Sequence, residues 1–154
     1  MKFKTMLAAI LTVGVSFLLS PAQERRIRRE QLPPEVEKTV ARESAGATIK
    51  GFATEVEHGR KLYEASLIVN GHTKDILIDG HGNVVEIEEQ VTLDSLPAAV
   101  QDALQKKAGS GSITVIESLT KNNQLVAYEA QVRHGKRRSE IQVGPNGETL
   151  KHPQ

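Results

Sequence analysis

Tyr63-Glu64-Ala65-Ser66-Leu67-Ile68-Val69 and, 65 residues further on, Tyr128-Glu129-Ala130-Gln131-Val132-Arg133-His134 decide how this chain folds. In the first stretch Tyr63, Ala65, Leu67 and Val69 alternate with Leu62, Glu64, Ser66 and Ile68, and in the second Tyr128, Ala130 and Val132 alternate with Glu129, Gln131 and Arg133. A period of two is the mark of a strand with one buried face, so the tyrosine faces are expected to point inward. Asn70-Gly71 and His134-Gly135 follow as tight turns, and Ile76/Ile78 and Ile141/Val143 continue the inward face on the return strands. Gly80-His81-Gly82-Asn83 and Pro145-Asn146-Gly147 turn the chain again, after which Val85 and Ile87 are expected inside and Glu86 and Glu88 outside.

Working outward, Leu32-Pro33-Pro34-Glu35-Val36-Glu37-Lys38-Thr39-Val40 aligns with Leu96-Pro97-Ala98-Ala99-Val100-Gln101-Asp102-Ala103-Leu104 at a spacing of 64. Both place apolar residues four apart on one helical face, with proline at the start and Gly46 or Gly109 at the end. Asp94 or Ser95 is the expected cap of the second helix. The spacing grows from 64 to 65 between Ile113 and Tyr128, and the turn Lys121-Asn122-Asn123-Gln124, opposite Glu57-His58-Gly59-Arg60, is the expected site of the extra residue. This agreement predicts an α+β fold of two tandem repeats, 32–91 and 95–151, each one helix packed on an antiparallel sheet of about four strands. A unit of about 60 residues buries too little surface alone, so the two are expected to share a core or a sheet.

The front of the chain carries an address. Lys2 and Lys4 precede the uncharged run Met6–Leu19, and Ser20-Pro21-Ala22 supplies small residues before a cut after Ala22. Residues 1–22 therefore read as a cleavable signal peptide, and residues 23–31, with Arg25, Arg26, Arg28 and Arg29, as a disordered basic leader. The expected location is periplasmic or secreted, with no stable membrane span after cleavage.

Composition removes several functions. The 154 residues contain no cysteine, which excludes disulfide frameworks, thiolate metal sites and cysteine nucleophiles. Twenty basic and 19 acidic residues give a near-neutral chain, and an aromatic content of 3% offers few platforms for stacking bases, so no nucleic-acid partner is expected. The five histidines include no H-x-x-x-H pair, and His72 and His81 fall at opposite ends of one hairpin, so they read as turn residues and no metal is expected. Asp79 to Asn83 lacks the alternating oxygen ligands of a calcium loop. Glutamates alternating with apolar residues mark a solvated sheet face, no serine has triad partners at recognisable offsets, and no catalytic residue or cofactor is expected. The densest charge is Arg133, His134, Lys136, Arg137 and Arg138 around one turn, and Arg133, Lys136, Arg137 and Arg138 form the candidate contact for an anion or an acidic partner.

The Leu-Pro helix start, the Tyr-Glu-Ala strand entry and the closing Asp79-Gly80-His81-Gly82-Asn83-Val84-Val85 resemble the PepSY and PepSY-like domains of exported bacterial proteins. The second copy has Gly144 where the first has Asp79, and Pro145 in place of Gly80. The arrangement is also similar to the beta-lactamase-inhibitor-protein-like family. The resemblance implies a non-catalytic binding module that modulates or inhibits a peptidase or another envelope enzyme. The alternative reading is a binder of an anionic small molecule, lipid or wall polymer. With both tyrosines turned inward, binding is expected to be weak or transient.

Overall fold

The structure, a computed structural model, describes residues 25–57 and 59–154. The predicted signal peptide lies outside the described residues. Eight strands run in chain order: β1 Arg25–Ile27, β2 Thr48–Glu57, β3 Arg60–Val69, β4 His72–Asp79, β5 Val84–Gln90, β6 Ser112–Lys121, β7 Gln124–His134 and β8 Arg137–Val143. They pair antiparallel, each with its neighbours in sequence, as one eight-stranded sheet. Helix α1, Pro34–Glu43, joins β1 to β2, and α2, Ala98–Ala108, joins β5 to β6.

This corrects the expected architecture. The chain is α+β, but it does not form two tandem helix-on-sheet repeats of about four strands each. β5 hydrogen-bonds to β6 from Glu86↔Lys121 to Gln90↔Glu117, so one sheet runs through the whole chain. The physical reason is the strand edge: two separate sheets would leave β5 and β6 with unpaired N–H and C=O groups. The leader is also corrected, because Arg25, Arg26 and Ile27 pair with Thr54, Ala53 and Phe52 as an edge strand.

Both helices lie on the same face. Val36 and Val40 pack with Ala65, Leu67, Ile76 and Ile78, while Leu96, Val100 and Leu104 pack with Ile116, Ala130 and Val143. Tyr63 and Tyr128 join these clusters, so the tyrosine faces point inward as the period of two predicts. Asp94 and Ser95 do not cap α2: they lie in a separate short turn, where the Ser95 hydroxyl donates to the Thr92 carbonyl at 2.7 Å, and Pro97 stands at the helix start.

Single-residue irregularities are absorbed within strands rather than in turns. β2–β3 and β6–β7 both have two-residue turns, and the extra residue predicted for the second turn sits in β7, where Leu119↔Ala127 is followed by Thr120↔Leu125 and Val126 bulges out. Asn122 and Asn123, with φ of 49° and 63°, give a turn whose twist matches the strands. A second bulge, between Leu77 and Ile78, pairs Ile78 with Val84, so Val84 rather than Val85 packs beside Ile87.

The turns after β4 and β8 hold the helices. A Cβ on Gly82 would stand 2.7 Å from the Glu35 carbonyl oxygen of α1, and one on Gly147 would overlap the Ala99 carbonyl of α2. The Thr39 hydroxyl donates to the Gly82 carbonyl at 2.6 Å, pinning α1 to this turn. Asp79 closes the first turn by accepting from the backbone of His81 at 2.9 Å and Asn83 at 3.0 Å. Where Gly144 replaces it, the Glu148 carboxylate reaches back and accepts from the Asn146 amide at 2.9 Å. A side chain at 144 would occupy the space of that carboxylate.

Candidate functional site

The register that turns the tyrosines toward the helices turns a second set of residues to the face that neither helix covers. On it lie Glu64 of β3, Asp75 and Leu77 of β4, Glu86 and Glu88 of β5, Glu117 and Leu119 of β6, Ala127 and Glu129 of β7, and Glu140 and Gln142 of β8. Glu88 stands opposite Asp75 on one side and Leu119 on the other, and Glu117 stands opposite Glu129. The alternation of glutamates with apolar residues is therefore a face of the sheet, as expected, but it is not fully solvated.

Leu62, Leu119, Ala127 and Ala53 all belong to this open face, and their exposures are 0%, 2%, 0% and 4%. Sequence reasoning placed Leu62 among outward residues. The signal that could have found them is the pairing itself: Leu119 meets Ala127 across β6 and β7, so the two shield each other. Glu88, Glu117 and Glu129 thus stand beside an apolar floor that removes water from one side of them.

The electrostatic consequence is a set of reluctant acids. Burial, followed by repulsion from Glu86, Glu129, Glu117 and Asp75, pushes the Glu88 carboxyl up to about 8. Glu117 is raised by burial and then by Glu129 and Asp75. Glu129 is raised by burial too; the hydrogen bond from Gln142 at 2.6 Å opposes the shift and Glu140 reinforces it. Lys121 compensates Glu86 at 3.0 Å. Among the described residues Glu88 and Glu117 form no ion pair.

The predicted basic residues gather at one end. Arg133 pairs with Arg138 and His134 with Arg137 across β7 and β8, with Lys136 in the turn, and all five are exposed. Register puts Arg133 and Arg138 on the open face, in line with Gln131 and Glu140. Like charges directly opposite on a strand pair repel, so this tip has a standing demand for anions. At the other end of the sheet, Arg26 and Lys50 flank Glu64 and Ser66 around a groove of about 360 Å³. Ser66 donates to Glu64 there at 2.8 Å.

Among the described residues, no three of His, Cys, Asp and Glu converge in a metal-binding arrangement. His72 and His81 stand at opposite ends of β4. Asp79 is engaged by its own turn. Burial raises its carboxyl, but the bonds from Asn83 and His81 outweigh this and hold it below the usual carboxylate range. No helix among the described residues is long and apolar enough to cross a membrane.

With this geometry in place, comparison with known proteins is informative about the fold. A structure provisionally assigned as a periplasmic protein of Bacteroides eggerthii superposes with a TM-score of 0.63 at 21% identity, covering 77% of this chain and 86% of its own. A DUF2874 family protein of Bacteroides ovatus gives 0.61 at 22% identity, covering 77% and 85%. A BLIP-like protein of Bacteroides fragilis gives 0.57 at 19% identity, covering 75% and 81%. The fold is similar to BLIP-like folds. No protein-family model matches the sequence, and no curated protein matches it either, so the PepSY resemblance remains one of short motifs.

Proposed function

We propose that this is an exported, non-catalytic binding module, PepSY-like in its motifs, that modulates a peptidase or another cell-envelope enzyme by docking it on the open face of the sheet. The observation that carries the reading is the asymmetry of the sheet: both helices cover one face, and the other combines an apolar floor with carboxylates and a basic end. Such a surface is complementary to a folded partner rather than to a small ligand, because its recesses are open and its charges are spread over several strands. The BLIP-like and periplasmic neighbours support the same direction.

Arg133, Lys136, Arg137 and Arg138 are proposed as the contact for an acidic patch of that partner. Phe52, Tyr63 and Tyr128 all pack with the helix-side clusters, leaving the open face without the aromatic anchors that dominate tight interfaces. The complex is therefore weak and salt-sensitive. Photo-crosslinkers placed at Gln131 on the open face and at Gln105 on the outer side of α2 test the proposal in cell-envelope preparations. Adducts with one protein from Gln131, lost when Arg133 and Arg138 are reversed to glutamate, are expected. Equal adducts from both positions, or none from Gln131, overturn it.

A further inference from the structure

We propose that the β5·β6 seam is a proton-sensitive junction, closed when Glu88 and Glu117 hold protons and loosened when both carry charge. This goes beyond the docking role and does not depend on what docks.

The seam is the one place where the two halves of the sheet meet. Its ladder runs from Glu86↔Lys121 to Gln90↔Glu117, with Val91 donating to Ile116 at 2.9 Å and Asn122 to Val85 at 3.0 Å at its two ends. Apolar packing bridges it at one end only, where Val91, just after β5, packs with the α2 cluster. Otherwise the α1 cluster draws on β2 to β5 and the α2 cluster on β6 to β8, and no residue belongs to both. On the helix side, the seam places Ile87 and Glu89 against Thr120 and Ser118.

On the open side it concentrates acid. Glu86 and Glu88 come from β5 and Glu117 from β6; Asp75 and Glu64 approach from β4 and β3, and Glu129 and Glu140 from β7 and β8. The cations near Glu88 and Glu117 are few. Lys121 is engaged by Glu86 at 3.0 Å, Lys74 is on the other face beside Glu89 at 4.0 Å, Arg26 and Lys50 flank Glu64 at the β1 side, and Arg138 lies at the far end opposite Arg133. No helix covers this side to add a compensating group. Opening the seam would let water reach Glu88 and Glu117 and separate them from half of their like-charged neighbours, so ionisation and opening favour each other.

The sign follows from the direction of the shifts. An unperturbed glutamate titrates near 4.5, whereas Glu88 holds its proton to about 8, and Glu117 is raised as well. The open seam therefore releases its protons at lower pH than the closed one, so rising pH favours opening and falling pH favours closure.

Backbone amide protection in the ¹⁵N-labelled protein tests this, corrected for intrinsic exchange, at about pH 5 and about pH 8.5. The Val91 and Asn122 amides, which bridge the seam, are expected to lose about tenfold more protection on raising the pH than the amides of the β3·β4 ladder. Glu88→Gln, isosteric and uncharged, is expected to remove most of that difference, and Glu117→Gln to reduce it. Equal losses across both ladders, no loss at the seam, or an undiminished difference in both variants overturns the proposal.

Discussion

Gly82→Ala tests whether the turn after β4 fixes the position of α1. Gly82 has φ +85°, where an L side chain costs about 1–2 kcal/mol. Its new Cβ would stand 2.7 Å from the Glu35 carbonyl oxygen and 3.2 Å from the Glu35 Cβ, and relieving that overlap moves the helix off its cluster at about 1–3 kcal/mol, the usual range for overpacking. The expected loss is about 2–5 kcal/mol in total. Gly71→Ala isolates the first part, because Gly71 has φ +88° but nothing within 4 Å of its added Cβ. Urea denaturation followed by circular dichroism should therefore show a distinctly larger loss for Gly82→Ala than for Gly71→Ala, with Gly147→Ala resembling the former. Equal losses at 71 and 82 would refute the claim that close approach, rather than backbone conformation alone, makes glycine necessary there.

Leu62→Ala removes a fully buried side chain from the open face and is expected to cost about 3 kcal/mol in the same assay, whereas a loss below about 0.5 kcal/mol would mean that the floor is not packed. Because burial and then its acidic neighbours raise Glu88 to about 8, global stability should fall as pH rises from about 4.5 to about 8. The full shift corresponds to a ceiling of about 5 kcal/mol, which partial exposure and screening reduce to about 1–2 kcal/mol; Glu88→Gln should flatten the profile by that amount. Asp79 behaves oppositely: despite burial, its hydrogen bonds hold its carboxyl low, so its stabilisation is present above the unfolded pKa and lost as pH falls through the folded one. Asp79→Ala is expected to cost about 1 kcal/mol near neutral pH and to remove that acid-side loss, as urea midpoints at the two extremes would show.

The helices and the tyrosine face were legible because their signal is periodic: Val36, Val40, Val100 and Leu104 recur at four-residue spacing, and all four are buried. The size of each unit called for a shared core or a shared sheet without deciding between them, and the pairing of β5 with β6 that makes it a sheet was not legible, since pairing across a helical connection leaves no local trace in the sequence. The bulges at Val126 and beside Ile78 escaped for a related reason. A bulge shifts register by one residue, and only the partner strand reveals it. The basic tip could be read as a charge run around a turn, and its residues are exposed there. The open-face carboxylates were seen as solvated because alternation tells which residues share a face, not what lies between them. Leu62 and Leu119, on that same face, change the environment of the acids.

An open sheet has two margins, and each of these is guarded. Among the described residues β1 covers only Phe52 to Thr54 of β2, and β8, which carries Arg137, Arg138 and Glu140, forms the opposite border. Short length and charge are what discourage a stray strand from another chain from adding itself there. Deleting the Arg25–Ile27 segment would uncover the middle of β2 and leave a ten-residue strand, Thr48–Glu57, as an unprotected border. A stretch that looks dispensable in the sequence thus covers backbone of β2 that would otherwise lie open to another strand.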